Sequence, residues 1–105
     1  MILVFISFES KEDGEKVANY LVDNKLAACV SLVPVQSFYY WKGEKMIIEE
    51  YEAIIKTKKS QFVSIENAIK ELLPYEIPQI IAVDAVNANK SYLMWVNESL
   101  KKRRL

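Results

Sequence analysis

The feature that most constrains this chain is an aromatic run, residues 38–41, that a two-residue turn folds back into an aliphatic run. Lys42-Gly43 favours a hairpin loop at this point, because glycine reaches positive φ without a Cβ clash. Strand-forming residues extend from about Ala27 to about Thr57, so each arm would hold roughly 13 residues and measure about 45 Å. A domain of about 100 residues has a radius of gyration of about 13 Å. We therefore expect the aromatic tip to extend beyond its own domain and to be covered by another subunit.

Length and charge exclude several classes of protein. The 105 residues predict a single domain over residues 1–105. Lys plus Arg and Asp plus Glu each number 14, so the formal net charge is zero and no bulk field attracts the chain to nucleic acid. The apolar run over residues 1–6 lacks a basic flank and is too short for a signal peptide, and no stretch approaches the ~20 apolar residues of a membrane helix. We expect a cytoplasmic protein that does not insert into membranes.

The order of apolar patterns predicts an α+β fold. Residues 2–6 are apolar at every position, which is typical of a central strand covered on both faces. Ser10 is a candidate N-cap for a first helix, and Ser60 for a second helix that Pro74 ends. With the long hairpin between them, a strand over residues 80–86 and a last helix, the order is that of a ferredoxin-like β-α-β-β-α-β sandwich plus a C-terminal helix. Two helices on one face would leave the other face of the sheet for a dimer or trimer to cover.

Three smaller features add predictions. Gly14, inside the first helix, is interpreted as a tolerated glycine near the surface. Tyr92 and Trp95 are three residues apart on the last helix and are interpreted as core residues. The basic end over residues 101–104 is predicted to be solvated and to complement the dipole of that helix.

A simple two-residue loop fixes which side chains share a face of the hairpin. Residues whose numbers sum to 85 then lie opposite each other, so Cys29 faces Lys56, and alternation places both on one face with Glu50. The other face is more apolar and is predicted to be the helix-covered core. Pro34 cannot donate to the ladder, so it implies an edge or a bulge, and a bulge would slip the register by one residue.

The inventory of reactive side chains limits catalysis and metal binding. The chain has no histidine and therefore lacks an ordinary base that titrates near neutrality. Cys29 is either a small buried apolar residue or a ligand or reactive thiol, and one thiolate without imidazole cannot form a Cys/His metal site within one chain. Tyr75, between Pro74 and Pro78, either follows a helix stop or lines a pocket. Glu50 belongs to an acidic cluster that is either a solvated edge or a site.

A series of motifs runs through nearly the whole chain. They are Lys25-Leu26-Ala27-Ala28-Cys29-Val30 with Pro34, then Tyr40-Trp41-Lys42-Gly43, Glu50, Lys56-Thr57, Pro74-Tyr75, Pro78 and Tyr92-Leu93-Met94-Trp95. In order and spacing these motifs resemble the CutA family, the divalent-cation tolerance proteins. The resemblance implies a ferredoxin-like subunit in a homotrimer assembled through the long hairpin, similar in architecture to the PII signalling proteins.

The resemblance also implies a role and a site. The role is tolerance of divalent metals, with copper as the candidate metal and no established enzymatic reaction. Carried over residue by residue, the pocket between subunits has these ligand-binding residues: Cys29, Tyr40, Trp41, Glu50, Lys56 and Tyr75. Leu73 stands where the family commonly has histidine, which leaves Cys29 as the only soft metal ligand.

Three hypotheses follow from these residues. The leading one is a non-enzymatic homotrimer that binds a metal ion or another small ligand between subunits. A rival is a PII-like regulatory module that signals through an unidentified protein partner. The third is an enzyme that uses Lys56 and Tyr75.

Overall fold

The computed structural model describes residues 1–101, and it has an antiparallel sheet packed with helices. The elements are β1 (Ile2–Phe8), α1 (Lys11–Asp23), β2 (Cys29–Trp41), β3 (Glu44–Thr57), a 3₁₀ turn (Lys59–Gln61), α2 (Phe62–Leu72), β4 (Ile80–Asp84) and α3 (Lys90–Ser99). The four strands lie in the order β2-β3-β1-β4, and each neighbouring pair is antiparallel. Within residues 1–101, every helix is too short or too polar to cross a membrane.

Strand β1 lies inside the sheet, as predicted, but its two faces differ. Val4, Ile6 and Phe8 are fully buried in the core that the sheet forms with α1 and α2. Leu3 and Phe5, on the opposite face, are only half-buried. The prediction that both faces are covered is therefore only partly confirmed within one chain, because α1 and α2 pack on the same side of the sheet.

The hairpin has the predicted register. Paired residues sum to 85 from Cys29–Lys56 at the base to Trp41–Glu44 at the tip, so the register does not slip at Pro34. The proline is tolerated because β2 is an edge strand. Lys42 and Gly43 both have positive φ, 49° and 82°, as a type I′ loop requires. Residues 44–50 of β3 extend beyond the strand's pairing with β1, and the longest dimension of the chain is 49 Å.

Strand β2 begins at Cys29, two residues later than expected, because the preceding residues close α1. Lys25 adopts a left-handed conformation with φ of 60°. Its N–H donates to the carbonyl of Val22, and the N–H of Leu26 donates to the carbonyl of Leu21, which is a Schellman motif. A non-glycine residue therefore supplies the positive φ that ends this helix.

One of the two predicted helix N-caps is confirmed and the other is not. The Ser10 hydroxyl accepts from the N–H of Asp13, which confirms Ser10 as the N-cap of α1. Ser60 lies inside the 3₁₀ turn, so the prediction that it caps α2 is wrong, and α2 starts without a side-chain cap. Leu73 is extended because it precedes Pro74, and this ends α2.

Two predictions about packing are wrong within the chain. Gly14 is buried rather than near the surface, and a Cβ at this position would approach a methyl group of Leu32 to 3.2 Å. Trp95 is half exposed and stacks on Tyr92, with ring centroids 5.6 Å apart. The buried residue of α3 is Val96, which lies outside the main core, and α3 contacts β3. Of the basic end, residues 102–104 lie outside the described residues.

Candidate functional site

Three of the chain's polar side chains meet at the base of the hairpin. Cys29, the first residue of β2, faces Lys56 on β3, and Leu3 of β1 is the next residue in this row. The Lys56 ammonium donates to the Ser31 hydroxyl at 3.3 Å. All three polar side chains are half-buried on the sheet face that α1 and α2 leave open. We call Cys29, Ser31 and Lys56 the Lys56 corner.

Glu50 is on the same face as the Lys56 corner but far from it. It lies six residues from Lys56 on the same strand, a separation of about 20 Å along β3. Glu50 faces Val35 and lines an open depression of about 380 Å³ beside Pro34. Within one protomer, the structure therefore does not bring Glu50 to Lys56.

Tyr75 is held at the opposite end of the sheet by two hydrogen bonds. Its hydroxyl donates to Asp13 Oδ2 at 2.5 Å and accepts from the N–H of Glu9 at 2.9 Å. Glu9 follows the end of β1, whereas Lys56 pairs with Leu3 near the start of that strand. Tyr75 therefore ties the loop after α2 to the start of α1 and does not reach the Lys56 corner of its own chain.

The environment of Tyr75 keeps its phenol neutral. Burial raises the pKa of Tyr75 well above its ordinary value of about 10, and the hydrogen bond to the Asp13 carboxylate acts in the same direction. A phenol with a raised pKa is a hydrogen-bond donor at neutral pH and not a base. Its geometry in this protomer is that of a structural tie.

The hairpin tip contacts the loop that carries Tyr75. Tyr40 is 74% exposed and Trp41 is 37% exposed. The ammonium of Lys42 lies 5.5 Å from the centre of the Trp41 ring and 3.9 Å from a carboxylate oxygen of Glu76. The tip and the Tyr75 loop are therefore neighbours within one chain, joined by an exposed ion pair.

The six predicted ligand-binding residues thus occupy three places in one protomer. Cys29 and Lys56 share the base of the hairpin, Glu50 lies midway along it, and the other three lie at the tip or on the neighbouring loop: Tyr40, Trp41 and Tyr75. A pocket that contains all six needs more than one copy of the chain.

A copper site does not fit the residues of a single chain. Within residues 1–101, no three His, Cys, Asp or Glu side chains converge on a common point. The residue directly opposite Cys29 is Lys56, whose positive charge repels a metal ion. One thiol beside an ammonium is an incomplete donor set for copper or zinc.

Sequence reasoning missed three contacts at or beside the predicted site. Nothing in the sequence links Tyr75 to Asp13, which is 62 positions away. Nor does it link Lys42 to Glu76. Ser31 lies two residues after Cys29 on β2 and therefore on the same face, but its hydrogen bond to Lys56 depends on the side-chain conformation in the folded sheet.

The chain is similar to known proteins over nearly its whole length. The profile of the CutA1 divalent ion tolerance protein family matches residues 2–99. The divalent-cation tolerance protein CutA of Pyrococcus horikoshii is 38% identical over 97% of this chain and 100% of its own length. The CutA protein of Archaeoglobus fulgidus is 32% identical over 93% of this chain and 96% of its own length.

Solved structures have the same fold. CutA1 from Pyrococcus horikoshii superposes with a TM-score of 0.91 at 37% identity, covering 97% of this chain and 100% of the other. A structure named the periplasmic divalent cation tolerance protein CutA, from Archaeoglobus fulgidus, has a TM-score of 0.91 at 31% identity and covers 96% of this chain and 100% of the other. This chain therefore belongs to the CutA1 family of divalent-ion tolerance proteins.

Proposed function

We propose that this chain is a non-enzymatic divalent-cation tolerance protein that acts as a homotrimer of single-domain, ferredoxin-like subunits. The observation that carries the proposal is the family match over residues 2–99, together with relatives named for divalent-cation tolerance that align over nearly their full length. Sequence similarity of this extent argues for a shared role in the whole chain rather than for one shared motif.

The open face of the sheet supports self-association. Two rows of side chains cross it from β2 to β4, and most of their members are apolar. The rows are Cys29–Lys56–Leu3–Val83 and Ser31–Ile54–Phe5–Ile81. Ile81 and Val83 in these rows are 51% and 44% exposed, and an accessible apolar face is a typical interface between copies of a chain.

The hairpin supports the same assembly. Phe38 and Ile47 are paired across the two strands and are 63% and 55% exposed, because this part of the hairpin lies beyond the helices. Tyr40 is more exposed still. Large apolar side chains on an overhanging ribbon favour contact with a neighbouring subunit.

In the proposed trimer the ligand, a metal ion or another small molecule, occupies the cleft between subunits. The six residues named above are too far apart in one protomer to form one pocket, so neighbouring copies would complete it. An enzymatic role is disfavoured because the chain has no histidine and the phenol of Tyr75 has a raised pKa.

The alternative is a PII-like trimeric signalling module that acts through a protein partner. The exposed aromatic tip and its contact with the Glu76 loop favour this alternative, since they form an accessible surface at one end of the molecule. Proteins that bind the wild type but not a Tyr40→Ala variant would support it.

The test of the assembly is sedimentation equilibrium at micromolar concentration, where we expect a species of three times the 12.2 kDa chain mass. A monomer would contradict the proposal.

The role is tested by growth of cells that lack this protein in rising concentrations of Cu²⁺, Zn²⁺ and Cd²⁺, with and without the restored gene. Equal metal sensitivity of both strains would contradict a tolerance function.

The proposed location is the cytoplasm. One relative is named periplasmic and another chloroplastic, so fractionation of the native cells is the direct test. Recovery of the chain outside the cytoplasmic fraction would contradict this part of the proposal.

A further inference from the structure

Among the described residues, the Lys56 corner carries a positive charge without a counter-charge. The ion pairs among residues 1–101 are Lys42–Glu76, Lys70–Glu66 and Lys101–Glu98, so Lys56 has no carboxylate within pairing distance in this part of the chain. Its neighbours across the strands, Cys29 and Leu3, are uncharged. The nearest carboxylate on its own face of β3 is that of Glu52, about 14 Å away along the strand.

The hydrogen-bonding pattern of the corner presents donors rather than acceptors. The Lys56 ammonium donates one N–H to Ser31 Oγ, which leaves its other N–H groups available. The Ser31 hydroxyl accepts from Lys56, so its own hydrogen is available to a ligand. The thiol of Cys29 is a further weak donor on the same face. Donors grouped around an ammonium bind oxygen anions and repel cations.

Assembly would make this charge costly. The corner lies on the open face, next to Leu3, Phe5 and Ile54. When another copy covers these side chains, as in the proposed trimer, Lys56 loses water and an unpaired ammonium becomes unfavourable. A negatively charged oxygen beside Lys56 and Ser31 removes that penalty.

We infer that the Lys56 corner is an anion site, which takes a carboxylate or a small oxyanion and not a divalent cation. The inference rests on the proposed assembly and names the ligand class of the same cleft. Two sources supply this chemistry: a free oxyanion, and a carboxylate of a neighbouring copy, for which Glu50 and Glu52 are the candidates on this sheet face. The divalent ions of the family name would then act elsewhere than at Cys29 in this member.

The first experiment titrates inorganic phosphate into the wild-type protein and into Lys56→Met, Lys56→Arg and Cys29→Ala. If the source is a free oxyanion, phosphate binds the wild type and Lys56→Met loses at least about tenfold in affinity, the size expected for one charge-assisted hydrogen bond. Lys56→Arg keeps the charge and retains binding, and Cys29→Ala changes it little. The conservative arginine variant separates loss of charge from loss of fold.

The second experiment measures the association constant of the same variants by sedimentation. If the source is a neighbour's carboxylate, phosphate does not bind, Lys56→Met associates at least about tenfold more weakly, and its effect is not additive with Glu50→Gln or with Glu52→Gln. Either pattern supports the anion site. If phosphate does not bind and Lys56→Met is additive with both glutamine variants, the inference is wrong.

Metal titration is the opposite test. Zn²⁺ or Cu²⁺ binding tighter than about 10 μM that Cys29→Ala abolishes and Lys56→Met preserves would overturn the anion site. In either of the two overturning cases, a wild type that is still trimeric leaves the proposed assembly standing. A monomeric wild type would contradict the assembly and the inference together.

Discussion

The two faces of the sheet are built from the same four strands but have different surroundings. On the face covered by α1 and α2, Ile55, Val4 and Ile6 are fully buried. On the open face, Ile81 is 51% exposed and Val83 is 44% exposed. Phe5 and Ile54, in the same row as Ile81, are apolar as well. An antiparallel sheet with a solvated face normally shows polar side chains there, so the composition of the open face argues for a further covering layer.

The largest expected effect is a contrast between Ile55 and Ile54, which are neighbours on β3 and point to opposite faces. Ile55→Ala should reduce the free energy of unfolding by about 2–5 kcal/mol, because it leaves a cavity in the core. Ile54→Ala is the matched control, and its loss in dilute protein should be about 1 kcal/mol, since the side chain is only half-buried. Urea unfolding measures both. Equal losses in dilute protein would contradict the difference between the faces.

The next effect concerns association of copies of the chain through the open face. Phe5 lies in the middle of the open face, between Ile54 and Ile81. Phe5→Glu should weaken association by about 100-fold, or about 2.8 kcal/mol, because a carboxylate would have to be buried among apolar side chains. Sedimentation equilibrium measures the change, and unfolding of the variant should no longer depend on protein concentration. Unchanged association would show that this face is not the interface.

Tyr75 links the loop after α2 to the start of α1, and substituting it should have a smaller effect on stability. Tyr75→Phe removes the hydrogen bonds to Asp13 and to the N–H of Glu9, at a cost of about 1–2 kcal/mol in unfolding. Tyr20→Phe, at an exposed tyrosine on α1, is the control and should change stability by about 0.5 kcal/mol or less. Equal free energies of unfolding for the two variants would contradict a stabilising role of the Tyr75 hydrogen bonds.

The same tyrosine predicts a pH dependence. Its pKa is raised in the folded protein, so the unfolded chain releases the phenol proton first as the pH rises. The stability from Tyr75 is full below pH of about 10, its ordinary pKa, and declines above it. The difference in stability between wild type and Tyr75→Phe should therefore narrow above this pH in urea unfolding. A difference that stays constant to pH of about 11.5 would contradict the assigned hydrogen bonds.

The smallest effect is expected at the hairpin tip, which extends beyond the four-stranded part of the sheet. Lys42 and Glu76 form an ion pair whose side chains are 71% and 69% exposed. Glu76→Gln should change the free energy of unfolding by about 0.5 kcal/mol or less, because water screens such pairs. Thermal unfolding in low and in high salt is the measurement. A loss above about 1 kcal/mol would mean that the tip is held more tightly than an exposed pair allows.

The hairpin was the most predictable part of the fold. Lys42-Gly43 sets the loop, and the loop sets the register for all 13 pairs down to Cys29 and Lys56. The prediction therefore depended only on local conformation and on alternation, both of which are properties of neighbouring residues. The start of β2 was predicted too early. Lys25 ends α1 in a left-handed conformation, and lysine does not usually signal such a helix end.

The candidate site was only partly predictable. Alternation placed Cys29, Lys56 and Glu50 on one face, and the register confirms this arrangement. It did not reveal that Lys56 donates a hydrogen bond to Ser31, or that Lys56 has no ion-pair partner within residues 1–101. Those properties depend on side-chain conformation and on which strands lie next to β3.

The sequence by itself determined the elements, the cap at Ser10, the hairpin register and the family, because each depends on residues that are close along the chain or on their order in it. Only the tertiary structure decided the full strand order, the bond between Tyr75 and Asp13, and the contact of Lys42 with Glu76. The physical reason is distance along the chain: contacts between residues far apart arise when whole elements pack, and no local pattern specifies them. The clearest result of that packing is the position of Lys56, which lies on the open face and has no ion-pair partner in the part of the chain that the structure describes.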